Sequence, residues 1–166
     1  MFWLRLFMQY MTLLILFLLF TYPESRLMKK HALLNAPLSH VIATMGHTDQ
    51  LVVGAAGLPI PAAPERIDLA VSQGVPRFMD VVRAITEEMQ IERVIMAREF
   101  TEVSPGLHAE LLAHLQHIAE TQNKAIVFDY VSHEEFKLAT HTSKAVVRTG
   151  ECTPYANVIF VSGVVF

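Results

Sequence analysis

Eight histidines are spread along this 166-residue chain, and histidine is the side chain whose ordinary pKa suits proton transfer near neutral pH. His47 stands in Met45-Gly-His-Thr-Asp49. It follows a glycine that could end a helix and precedes the apolar run Leu51–Val53, so rigid elements would hold it within reach of solvent. Asp49 could orient its ring or raise its pKa; a surface-loop histidine is the blander reading. His133 lies in Ser132-His-Glu-Glu135. That capping box puts it in the first turn of a helix, where the positive dipole end favours neutral imidazole. An exposed first-turn residue fits equally. Tyr155 and Asn157 follow Pro154 in a polar loop. They could exchange hydrogen bonds with sugar hydroxyls or simply form a turn. His114 and His117 lie three apart, with Glu110 four before His114, a spacing that could ligate a metal; a solvated helix face explains it as well. Spacing leaves His108 undecided. The sequence has no P-loop, no Gly-x-Gly-x-x-Gly and no Gly-x-Ser-x-Gly, which weighs against nucleotide binding and serine hydrolysis. Its one cysteine, Cys152, rules out an internal disulfide and fits a reducing compartment.

The elements that must position these residues alternate between helical and strand-like periodicity, the pattern of a single α/β domain. Leu38, Val41, Ile42 and Met45 share one face, so residues 37–45 read as a helix, with Gly46 as its left-handed cap. Leu51–Val53 is a short strand. Gly57-Leu-Pro-Ile-Pro-Ala-Ala-Pro64 has three prolines and must be a loop. Pro76 opens a second helix with Phe78, Val81, Val82, Ile85 and Met89 inward. Ile91–Ala97 reads as a strand. Ser104-Pro105 caps a third helix that buries Leu107, Leu111, Leu115 and Ile118. Ala125–Tyr130 is a strand, Ser132 starts a short helix, and Ala145–Arg148 and Val158–Phe166 are strands around the loop Gly150–Asn157.

Hydrophobic residues make up 52% of the chain, above the ~45–50% usual for soluble domains, and much of the excess lies in residues 1–27. Met11–Phe20 has the length of a signal-peptide core but lacks a small-residue cleavage pattern. Leu6–Tyr22 is just short of the ~20 residues of a membrane anchor. The expected reading is a spurious upstream start, with Met28-Lys-Lys30 opening a soluble domain. Were the segment a span, Arg26, Lys29 and Lys30 would leave the domain on the cytoplasmic side. Residues 1–27 hold two of the 13 basic and one of the 16 acidic residues, so the remainder is slightly more acidic than the formal −3 of the whole chain. Such a domain has no electrostatic reason to bind nucleic acid or anionic lipid.

Five blocks then form a larger pattern: Met45-Gly-His-Thr-Asp49, Gly57-Leu-Pro-Ile-Pro61, Arg66-Ile-Asp68, Gln73-Gly-Val-Pro76 and Gly150-Glu-Cys-Thr-Pro-Tyr-Ala-Asn157. In order and spacing the chain resembles the D-ribose pyranases from Met28 to Phe166. The related fucose mutarotases share the Gly-His and Tyr-x-Asn elements but lack the Gly-Leu-Pro-Ile-Pro loop. The resemblance implies a cytoplasmic α/β enzyme of ribose catabolism, a decamer of two stacked pentamers with sites between subunits. It implies His47 as proton donor and His133, Tyr155, Ala156 and Asn157 as ligands of free D-ribose. It implies no organic cofactor, metal or nucleic acid, and no membrane for residues 28–166.

One position departs from the pattern. The family has an Asp, a substrate ligand, where this chain has Ala55. A hydrogen bond to a charged group contributes ~1.5–3 kcal/mol, so its loss would weaken binding on the order of 10- to 100-fold. The expected chemistry is acid/base ring opening and reclosure, with His47 as the acid and His133 or water as the base. Ala55 supports one alternative, a sugar-binding partner of ribose uptake without turnover. A metal-dependent hydrolase built on His114 and His117 is the other.

Overall fold

Polar side chains open and close the apolar runs. Asn35 Oδ1 accepts the Leu38 N–H at 2.9 Å and starts helix α1, Ala36–Thr44. Ser132 and Glu135 bond each other's backbone N–H and start α5, His133–Ala139, as the capping box requires. The computed structural model describes residues 32–166; the apolar segment 1–27 lies outside the described residues. No described helix is long and apolar enough to cross a membrane.

The remaining helices are α2, Phe78–Thr86; α3, Arg98–Val103; and α4, Pro105–Thr121. The strands are β1, Gln50–Gly54; β2, Glu65–Asp68; β3, Ile91–Ala97; β4, Val127–Val131; β5, Ala145–Arg148; and β6, Val158–Ser162. They form one six-stranded sheet in the order β2-β5-β1-β6-β3-β4. The pairs β1–β5, β2–β5 and β3–β4 are parallel. β6 runs antiparallel to both β1 and β3, so the last strand enters the middle of the sheet against the direction of all the others.

Both faces are packed. Leu51 and Val53 face one way, into a core with Phe78, Val82, Leu111, Leu115 and Phe160. Val52 faces the other, with Leu58, Phe136, Val146 and Ile159. This is why β1 reads as a continuous apolar run and not as an alternating one. Phe136 of α5 is fully buried; removing such a ring costs ~3–5 kcal/mol.

The α/β class and most elements agree with the periodicity, and the differences have local causes. Gly46 is no left-handed cap. Met45 ends α1 in extended backbone, and Thr48, at φ +68°, makes the turn. Pro76 precedes α2 by two residues; Asp80 caps the helix instead, accepting the Arg77 N–H at 3.2 Å. Ser104 Oγ donates to Pro154 O at 2.8 Å and so does not cap α4. β2 and α3 lack a periodic signature. β6 stops at Ser162 because only Val158–Ser162 finds partners in β1 and β3. The proline-rich loop is anchored at its start, where Leu58 is buried.

Candidate active site

In an open α/β sheet the carboxyl ends of the parallel strands face a crevice that can hold a ligand. Here β1 ends there at Gly54, β4 at Val131 and β5 at Arg148, and β6 begins there because it runs the other way. The loops at this edge enclose a cavity of about 290 Å³, whose lining includes Ala55, Leu58, His133, Glu151, Tyr155 and Asn157. That is near the lower end of the ~300–1,000 Å³ typical of ligand pockets and suits a small polar molecule.

The backbone of this rim is held in three directions. Ala55 N–H donates to Asn157 Oδ1 at 2.9 Å. Ala56 N–H donates to Glu151 O at 2.8 Å. Arg148 Nε donates to Ala56 O at 2.9 Å while its Nη1 reaches both oxygens of Asp68 at 3.1 Å. With Oδ1 engaged, Asn157 keeps its amide NH₂ for donation to a ligand. Tyr155 has φ +59°, a left-handed conformation costing ~1–2 kcal/mol for a residue with a side chain. It turns the chain between Pro154 and the buried Ala156. The His133 ring stands edge-on to the Tyr155 ring, centroids 5.0 Å apart, and is stacked on Phe136. His133 Nδ1 is buried without a hydrogen-bond partner, and such a group calls for one. His133, Tyr155, Asn157 and Ala55 therefore line one cavity; Ala156, between Tyr155 and Asn157 in sequence, is not part of that lining and is buried in the core.

Two carboxylates that the residue patterns did not single out also shape this end. Glu151 accepts hydrogen bonds from the Thr153 hydroxyl at 2.7 Å and from the N–H groups of Thr153, Cys152 and Phe78 at 3.0, 3.0 and 3.3 Å. Burial pushes its pKa up, but these donors outweigh burial and hold the carboxyl below its ordinary range. The Gly-Glu-x-Thr stretch contained the signal, an acidic residue followed within two positions by its own donors. Glu99 Oε1 accepts the backbone N–H of His133 at 3.1 Å and fixes the start of α5.

His47 lies elsewhere. Its turn precedes β1, at the opposite edge of the sheet from Ala55. β1 alone, five residues long, separates its ends by ~13 Å at ~3.3 Å per residue. The partner of His47 is not Asp49. His47 Nε2–H donates to Glu92 Oε2 at 2.8 Å, because an ionised carboxylate can only accept. Asp49 Oδ2 instead accepts the Gly46 N–H at 2.8 Å and lies 3.5 Å from Lys144 Nζ.

The spaced triplet on α4 disperses. Glu110 pairs with Arg83, and His114 Nε2 meets Thr86 Oγ1 at 2.7 Å. Burial holds the His114 imidazole below its ordinary pKa, with Arg83 and His117 adding to the effect. Among the described residues no three His, Cys, Asp or Glu converge as metal ligands. His108 faces inward, 2.9 Å from the Tyr130 hydroxyl.

Residues 28–165 match the RbsD / FucU transport protein family. The chain belongs to that family. It is 60% identical over 139 residues to a D-ribose pyranase of Aliivibrio salmonicida, covering 84% of this chain and 100% of the relative. RbsD of Bacillus subtilis, solved in complex with D-ribose, superposes with a TM-score of 0.72 at 43% identity, covering 84% of this chain and 100% of that one. A fucose mutarotase of Streptococcus pneumoniae, in complex with L-fucose, shares the fold at 22% identity and a TM-score of 0.63, over 80% of this chain and 94% of its own.

Proposed function

We propose that this chain is a D-ribose pyranase, an isomerase that interconverts the pyranose and furanose rings of free D-ribose. The observation that carries the reading is 60% identity across the whole length of a relative bearing that name. The match to a ribose-bound structure supports it.

The chemistry follows from the side chains at hand. Protonated His47 gives its proton to the pyranose ring oxygen as the bond from that oxygen to C1 breaks. A base takes the proton of the anomeric hydroxyl, and the open aldehyde results. The C4 hydroxyl then attacks C1 and returns a proton to His47, while the base returns its proton to the former carbonyl oxygen. No atom is gained or lost and no carbon–hydrogen bond breaks. Tyr155, Asn157 and His133 hold the hydroxyls in the cavity, with the Asn157 NH₂ and His133 Nδ1 as their hydrogen-bonding atoms. His133 or a water is the base.

His47 and this cavity lie at opposite edges of one sheet, so one chain does not place them on the same sugar. A site formed between neighbouring copies does, each giving His47 to the next one's cavity around a closed ring such as each of the two stacked pentamers of a decamer. Residues 28–166 are the sugar-handling domain, and the cytoplasm is where free ribose would meet it. Ala55 alone favours sugar binding without turnover, and the names of the relatives do not. Saturation-transfer NMR of ribose with catalytic amounts of protein tests the reading. Faster pyranose–furanose exchange is expected; an unchanged exchange rate rejects it.

A further inference from the structure

His47 meets a carboxylate from a strand 45 residues away in sequence, and the sheet is built to deliver it. β3 pairs with β6 through Ile91↔Ser162 and Arg93↔Val161. Glu92 between them is an extra residue with none opposite, a bulge of the kind that re-aims a side chain. Gly163, just past β6, leaves room for it: a Cβ there would stand 3.1 Å from Glu92 Cβ. The turn that bears His47 is bonded to the end of β6, Thr48 N–H to Ser162 O at 2.9 Å and Ser162 N–H to Asp49 O at 2.8 Å. Both partners therefore rest on one rigid corner of the sheet.

We propose that Glu92 is the positioning residue of the proton donor, an inference that rests on the reading of His47 above. Glu92 holds the imidazole through Nε2–H and turns Nδ1 toward the sugar. The other charged groups around this corner have their own partners. Asp49 faces Lys144, and the Lys124 ammonium bonds the carbonyls of Val164 and Phe166. With side chains 53% and 38% exposed, the His47–Glu92 pair adds little to fold stability, so its effect belongs to catalysis.

Glu92→Gln and Glu92→Asp in the full chain test this. Glu92→Gln should slow ribose exchange about 10-fold at pH 7. Ribose affinity should stay within about threefold and the melting temperature within about 2 °C. Glu92→Asp, which keeps the charge, should restore part of the rate. Nitrogen-15 NMR of the His47 ring gives a readout independent of turnover: the Nε2 and Nδ1 signals should shift in Glu92→Gln as the Nε2–H bond is lost. Unchanged His47 ring signals overturn the proposal whatever the rate does. So does a parental rate in Glu92→Gln, or a loss of rate that follows loss of fold in both variants. If the parent protein itself exchanges no ribose, the enzymatic reading fails, and the ring signals still decide whether Glu92 positions His47.

Discussion

Asn157 Oδ1 accepts the backbone N–H of Ala55 at 2.9 Å, joining the residue after β1 to the residue before β6 across 102 positions of sequence. The bond makes Asn157 both a brace for the cavity rim and one of its hydrogen-bonding groups. The two roles are separable. Asn157→Ala leaves a part-buried N–H without a partner, a loss of ~1–3 kcal/mol, and should lower the melting temperature together with ribose affinity. Asn157→Asp keeps the acceptor and should regain the stability, yet it lacks the NH₂ donor and should bind ribose weakly. Thermal melts and ribose titrations of both variants check this; parallel recovery of both properties in Asn157→Asp would argue against the donor role.

Ala55→Asp should tighten ribose binding on the order of 10- to 100-fold, the range for a hydrogen bond to a charged group of ~1.5–3 kcal/mol. The three bonds that hold Ala55 and Ala56 fix the backbone from which the carboxylate would extend, and Ala55 lines the cavity. His47 of the same chain is at the far edge and cannot satisfy the new charge, so sugar hydroxyls or a neighbouring copy must. Titration with ribose decides; unchanged affinity would mean that the cavity has adapted to alanine.

His47→Ala should abolish catalysed ring exchange, a loss of at least ~100-fold for a general acid, while the assembly elutes as the parent does. A shared site makes a further claim. His47→Ala mixed with His133→Ala, after dissociation and reassembly, should regain activity in roughly a quarter of the sites, those formed by one intact half from each variant. Mixtures as inactive as their components would place each site within one chain.

Glu151 predicts a pH dependence. Its carboxyl is held below its ordinary range in the folded chain. The stabilisation is therefore complete above the unfolded value of ~4.3 and is lost as pH falls through the lowered folded value. Urea unfolding midpoints should fall below about pH 4.3, and Glu151→Gln should lower the midpoint at pH 7 and flatten part of that decline. The remaining slope is expected from three other carboxylates also held low: Asp68, where burial raises it but the Ala70 N–H and Arg148 outweigh that, Glu99, held by backbone N–H groups including that of His133, and Glu135, held by the Ser132 N–H and hydroxyl. A Glu151→Gln slope identical to the parent's would show that the four donors do not depend on the charge.

Much of this protein was legible in one dimension. Hydrophobic period separates strands from helices because each element buries a face or stripe set by its own local geometry. So β1, β3, β5, α2 and α4 stand close to where their apolar residues put them. The Ser132–Glu135 box placed His133 at a helix start for the same reason: its partners are three residues apart. Five spaced blocks, the Tyr-Ala-Asn end among them, were enough to mark the family. What local pattern cannot carry is partner choice. β2 is four residues with one of them buried, and it becomes a strand only because β5 offers an edge. In sequence Asp49 is the carboxylate that could orient His47, because the two are neighbours. The sheet gives it Glu92 instead, since the β3 bulge and the end of β6 meet at that corner. The reversed entry of β6 brings Tyr155 and Asn157 to the end of β1 while leaving His47 at the other edge. Strand order and direction arise from pairings between distant segments, whose side chains decide them only when the whole core closes at once. Periodicity thus determined the α/β class, and the spaced blocks marked the family. The tertiary fold alone decided which of the candidate residues share a cavity, and left His47 outside it.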